Sequence, residues 1–118
     1  MESESLKLSR FFLGKKVEVT MDRPLGSKHP KHGFLYEVNY GYIEGVMSPD
    51  GEELDTYYLG DDQPLEKAGG EVVAVIHRTN NDDDKLVVVP NGVILSDEEI
   101  LKQVNFQEKW FKSVVIRE

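Results

Sequence analysis

The chain has 118 residues, 39% of them hydrophobic, no cysteine, and a net charge of −8 from 22 acidic against 14 basic side chains. That length supports a single domain over residues 1–118 with one core and no staples, and the missing thiols exclude both a disulfide framework and a thiolate metal site. The acidic balance argues against a nucleic-acid surface, which needs clustered Lys and Arg to neutralise phosphates.

Residues 1–10 are polar, lack the basic and apolar parts of an export signal, and are expected to fray, with Phe11, Phe12 and Leu13 anchoring the entry. No apolar run approaches the ~20 residues of a membrane span, so no membrane partner and a cytoplasmic location are expected. Lys16 to Met21 alternates with period two and predicts a strand. "DRPLGSKHPKHG", residues 22–33, is a proline- and glycine-bearing loop and the only strongly basic segment. Phe34 to Ile43 predicts a strand interrupted near Gly41. Ser48-Pro49-Asp50-Gly51 suits a type I turn, with Pro presetting φ at its second position. Leu54 to Leu59 predicts a further aromatic strand. The apolar run "EVVAVIHR", residues 71–78, suits a barrel or sandwich core, and the acidic turn "TNNDDD" leads into another strand, "KLVVVP".

Residues 97–111 predict the one convincing helix, with Ser96 as N-cap and Glu99 closing a capping box. Ile100, Val104 and Phe111 share a face, flanked by Leu101 on one side and by Phe106 and Trp110 on the other, which assigns Trp110 to packing. "SVVIR" returns as a last strand. Five or six short strands and one C-terminal helix make the fold class mainly β (α+β), a small closed or half-closed barrel with a packed helix.

Two acidic clusters stand out: Asp50, Glu52, Glu53 and Asp55, then Asp82, Asp83 and Asp84 followed by Lys85. In a barrel both could converge at one mouth, where carboxylates suit a hard cation such as Mg²⁺. The plainer reading of each cluster is solvated surface. Strand alternation would also send Glu52 and Asp55 to opposite faces unless a turn or bulge re-aims one. The basic loop sets Arg23, Lys28, His29, Lys31 and His32 within reach of Tyr36 and Tyr40, a grouping that suits a phosphate-rich ligand. His29 and His32 are weak metal-ligand candidates, and the five tyrosines suit a core.

The run Tyr36-Glu37-Val38-Asn39-Tyr40-Gly41-Tyr42-Ile43, then Asp50-Gly51-Glu52-Glu53-Leu54-Asp55, then Asp83-Asp84-Lys85-Leu86-Val87-Val88-Val89-Pro90, resembles the family I soluble inorganic pyrophosphatases. The resemblance spans roughly residues 15–112, in order and with similar spacing. It implies a five-stranded OB-like barrel and hydrolysis of inorganic diphosphate with Mg²⁺, or Mn²⁺, as cofactor. It further implies that Asp50, Asp55 and Asp83 ligate metal, that Glu52 orients or deprotonates the attacking water, and that Lys85, Tyr40, Lys28, Arg23 and Lys112 contact phosphate. In that family the metal ions polarise the phosphoryl oxygens and acidify the water.

The sequence departs from the family pattern in three places. The N-terminal hairpin bearing a metal-binding glutamate has no counterpart, Asn80 or Asn81 falls where an acidic ligand is expected, and Trp110-Phe111-Lys112 falls near a Tyr-Lys pair. These departures keep two alternatives open: a hydrolase of a larger organic or nucleoside diphosphate, and a catalytically weakened phosphate-binding module. Homo-oligomerisation is left open as well.

Overall fold

The computed structural model describes residues 4–47, 51–79 and 83–117. The elements run α1 (Glu4–Phe11), β1 (Lys16–Arg23), β2 (Asn39–Met47), β3 (Glu53–Tyr58), β4 (Lys67–Arg78), β5 (Asp84–Val89), α2 (Asp97–Glu108) and β6 (Ser113–Ile116). The strands form one sheet in the order β1-β2-β3-β5-β4-β6, and β1 also pairs with β4, closing the first five into a barrel. Every pairing is antiparallel except β3 with β5. This is the small OB-like barrel expected, with β6 added as a flap on β4. No described helix is long and apolar enough to cross a membrane.

Period-two alternation gives each barrel strand an inner and an outer face. The inner set is Val19 and Met21 from β1, Ile43 from β2, Leu54 and Tyr58 from β3, Val72 and Val75 from β4, and Leu86 and Val88 from β5. Val72 and Val75 break strict alternation because a register shift between Val72 and Ala74 inserts one residue. The outer set of β2, β3, β4 and β5 includes Tyr40, Tyr57, Leu59, Ala74, Ile76, Val87 and Val89, and it packs beneath Ile100, Val104 and Phe106 of α2. The two faces therefore bury two separate clusters.

Three local expectations change. Residues 4–11 form a helix rather than a frayed end, because Leu6 is buried in the inner cluster and Leu8, Phe12 and Leu13 pack against it. Burying that apolar stripe offsets the weakness of so short a helix. Strand β2 starts at Asn39 rather than Phe34, extends to Met47, and runs unbroken through Gly41, where an added Cβ would stand 1.9 Å from the Thr20 carbonyl oxygen. Glycine here permits two backbones to approach closely and does not interrupt the strand. Helix α2 stops at Glu108, and Trp110 is left 57% exposed, in contact with the Phe34 and His32 rings but outside the core. The Ser96–Glu99 capping box is present with both hydrogen bonds.

Candidate active site

The polar centre lies at one end of the outer face and not inside the barrel mouth. Asp55 and Tyr57 leave β3 on the same side, Lys85 does so from β5 and Arg78 from β4. Arg78 is in phase with Ala74 and Ile76, which face α2. Alternation thus gathers residues that the sequence scatters over thirty positions or more.

Lys85 is nearly buried, its side chain 4% exposed, and its Nζ donates to Asp55 Oδ2 at 3.1 Å and to Asp83 Oδ2 at 3.3 Å. The same ammonium stands 5.6 Å from the Tyr40 ring centroid. Arg78 donates through Nη1 to Asp83 Oδ2 at 3.0 Å, and grips Glu108 with Nε and Nη2 at 2.9 and 2.8 Å. Glu108 also accepts from the Tyr57 hydroxyl at 2.6 Å and from Ser113 Oγ at 2.8 Å. Gln107 completes the network, donating to the Tyr57 oxygen at 2.7 Å and accepting from the Tyr36 hydroxyl at 3.0 Å.

The electrostatics follow from this pairing. Burial alone would disfavour a charged Arg78, but the hydrogen bonds and charge of Glu108, with Asp83 behind them, raise its pKa above the ordinary value. Burial likewise works against an ionised Glu108, yet the hydrogen bonds from Arg78 and Tyr57 hold its pKa below the usual range. The Tyr40 hydroxyl is pushed well up, first by burial and then by the charges of Asp55 and Asp83. At neutral pH it remains a donor. Tyr57 is raised for the same leading reason, burial, with Glu108 adding to it.

A cavity of about 740 Å³ opens over this centre, lined by Tyr40, Arg78, Lys85 and Gln107 and by the rings of His29, His32, Phe34, Tyr36, Trp110 and Phe111, with Lys109 beside them. The Arg78 guanidinium lies 3.7 Å from the Phe111 ring centroid, which clamps the base of the cavity to the turn after α2.

Among the residues singled out from sequence, the fold brings together Asp55, Asp83, Lys85 and Tyr40. Glu52 is exposed just before β3, on the approach to Asp55. Lys28 is exposed and pairs by its backbone with Leu35, while Arg23 ends β1 and donates to the Asp22 carbonyl at 2.9 Å. Lys112 is exposed, and its carbonyl accepts from the Thr79 N–H at 2.7 Å. Neither Lys28, Arg23 nor Lys112 lines the cavity; the lysine there from the end of α2 is Lys109. Asp50, Asn80, Asn81 and Asp82 lie outside the described residues. The His29 Nδ1 accepts the N–H groups of Lys31 and His32 at 3.1 Å each, which removes that nitrogen from metal binding.

Sequence reading missed Arg78, Gln107 and Glu108. A signal was present: Arg78 falls in phase with the apolar positions of β4, and Glu108 falls four residues after Val104 on the core face of α2. A charge at a core-facing position needs a partner, and these two are partners.

Among the described residues no group of three His, Asp or Glu side chains stands close enough to hold a metal ion. The donor chemistry nevertheless fits a hard cation. Asp55 and Asp83 share one ammonium, so they can be no further apart than two hydrogen bonds end to end. The centre also sets three carboxylates, the buried Glu108 and the part-exposed Asp55 and Asp83, against two buried cations, Lys85 and Arg78. A multiply charged anion would be repelled from such a centre without added positive charge.

A small closed barrel with a capped helix over a charged pocket on its outer face defines the architectural class. Solved structures of inorganic pyrophosphatases share its fold. The enzyme of Ehrlichia chaffeensis superposes with a TM-score of 0.69 at 14% identity, covering 89% of this chain and 87% of that one. That of Neisseria gonorrhoeae gives 0.61 at 23% identity, covering 82% and 76%. That of Thermus thermophilus gives 0.61 at 19% identity, covering 87% and 82%. No protein-family model and no curated protein matches the sequence. The chain has the fold of the inorganic pyrophosphatases.

Proposed function

We propose that this chain is a phosphoanhydride hydrolase that splits inorganic diphosphate into two phosphates with the help of Mg²⁺ or Mn²⁺. The observation that carries the reading is the buried Lys85 ammonium, held between Asp55 and Asp83 at the floor of a cavity large enough for a ligand. Asp55 and Asp83, joined by Asp50, are the residues that would hold the cation. Bound there, it would supply charge neutralisation and Lewis acidity towards the phosphoryl oxygens.

The chain's own groups have definable tasks. Lys85 donates to the phosphate that leaves, and its burial makes that charge worth more than it would be in water. Tyr40, kept protonated by burial, offers a second donor to the same anion. Glu52 takes the proton of the attacking water, a role that its exposed place beside β3 permits on entry of substrate. Arg78 fixes Asp83 from behind, so that this carboxylate is already aimed before substrate arrives. Arg23, Lys28 and Lys112 stand outside the cavity lining, and any contact they make with phosphate requires their side chains to swing towards it.

The deciding experiment is phosphate release from diphosphate, with and without Mg²⁺, by the wild-type chain and by Lys85→Met and Asp55→Asn. Both variants should lose about 10²-fold or more of kcat, the scale for removing a preorganised charge. Glu52→Gln should fall by a similar factor, about 10². A wild-type chain that releases no phosphate with either cation would overturn the reading and leave a phosphate-binding module.

A further inference from the structure

Inorganic diphosphate uses only one end of the cavity. The buried cations make its floor, but His29, His32, Phe34, Tyr36, Trp110 and Phe111 make much of the rest. A space of about 740 Å³ falls within the ~300–1,000 Å³ typical of sites that enclose a drug-sized molecule. A small inorganic ion leaves most of it to water.

The rings are arranged for a planar guest. Trp110 is 57% exposed at the rim, a large apolar surface left in water. Its ring stands 5.4 Å from Phe34 and 6.5 Å from His32, tilted by 35° and 33°, so neither neighbour is stacked flat upon it. The His29 ring is held by its two backbone hydrogen bonds and lies 4.7 Å from Phe34. Lys109 Nζ lies over the Trp110 ring, 4.8 Å from its centroid, so it covers one face of that ring and leaves the other for a guest, with its charge close enough to meet an anion entering there.

We propose that this aromatic wall is a subsite for the ring of an organic diphosphate, so that the chain takes a nucleoside diphosphate with its base against Trp110 and Phe34 and its phosphoanhydride at Lys85. The proposal deepens the hydrolase reading and rests on it for the reaction alone. In that reaction the water oxygen bonds to the terminal phosphorus and the bond from that phosphorus to the bridging oxygen breaks. The bridging oxygen stays on the nucleoside monophosphate, and the water's protons pass to the product phosphate and to solvent. The wall offers ring faces more than hydrogen-bonding edges, and stacking of that kind tolerates different bases. ADP and GDP should therefore behave alike.

Trp110 is the only tryptophan in the chain, so its fluorescence reports on this wall directly. The experiment titrates the full chain with ADP and with methyl diphosphate, which has the same phosphoanhydride and no ring, in Mg²⁺. ADP should quench Trp110 and bind about tenfold tighter or more, the scale of one base stacked on an aromatic side chain. Trp110→Ala, read by calorimetry, should bring ADP down to the affinity of methyl diphosphate and lower the ratio of kcat/KM for ADP over diphosphate by a similar factor. Equal affinities of ADP and methyl diphosphate for the wild type would overturn the subsite, as would an equal loss for both in the variant. Failure of the hydrolase reading looks different: no phosphate is released from either compound, while ADP still binds tighter than methyl diphosphate and the subsite stands.

Discussion

The inner and outer faces of the same strands behave as two different materials. On β3, Leu54 and Tyr58 enter an apolar interior, while Asp55 points to the opposite side and meets an ammonium. On β5, Leu86 and Val88 fill the barrel, while Lys85 lies between two carboxylates on the other face. The interior is stabilised by area removed from water and tolerates chemistry of one kind. The outer face buries charge, and it does so only because Arg78 with Glu108 and Lys85 with Asp55 and Asp83 satisfy one another. A shift of one residue in either strand would exchange the two sets, so the site and the core depend on the same register.

That contrast can be broken most severely on the charged side. Glu108→Ala leaves the Arg78 guanidinium buried without its bidentate partner and should cost about 3–5 kcal/mol in urea unfolding. The paired change Glu108→Leu with Arg78→Met should recover much of that loss, because apolar groups of similar volume need no partner. If the single and double changes cost the same, charge pairing is not what holds α2 to the sheet. On the apolar side, Leu86→Ala should cost about 2–5 kcal/mol by leaving a cavity, and the specific activity of the fraction that remains folded should hold.

Smaller effects sharpen the comparison. Tyr57→Phe removes one donor from Glu108 and should lower stability by about 1–3 kcal/mol, the cost of an unmet buried hydrogen bond. The pH dependence has a defined sign. Glu108 has a folded pKa below its unfolded value of about 4.3. Its contribution is therefore present above that unfolded value and is lost as pH falls through the folded one. The stability gap between wild type and Glu108→Gln should narrow on acidification, measured as urea midpoints from about pH 6 down to about pH 3. A gap that widens would reverse the assignment. The least effect is expected at the cap: Ser96→Ala removes the bond to the Glu99 N–H and should cost about 1 kcal/mol.

The residues that could be read in advance are those whose role is local. Ser96 and Glu99 announce the start of α2 because capping needs only neighbouring atoms. Lys85 and Asp55 were singled out through the family resemblance, and the structure brings the two within 3.1 Å of each other. Trp110 and Gly41 were misread for one reason: helical phase and β-breaking tendency describe a chain without neighbours. Trp110 leaves the helix because α2 ends at Glu108, and Gly41 stays in its strand because β1 passes too close for a side chain.

By itself the sequence determined most of the strands, their facing and the start of α2, but not α1. Alternation, capping and turn residues act over a few positions, and they suffice to set a small β-rich barrel with a late helix and to place acids at its turns. Only the tertiary structure decided that Asp55 and Asp83 meet at Lys85 on the outer face, that Arg78 belongs to Glu108, and that exposed rings border the cavity. Those facts depend on which strands become neighbours, above all the parallel pairing of β3 with β5 and the closure of β1 on β4. The free energy of such long-range contacts arises from packing and from the mutual satisfaction of buried charge, and neither is a property of any segment alone.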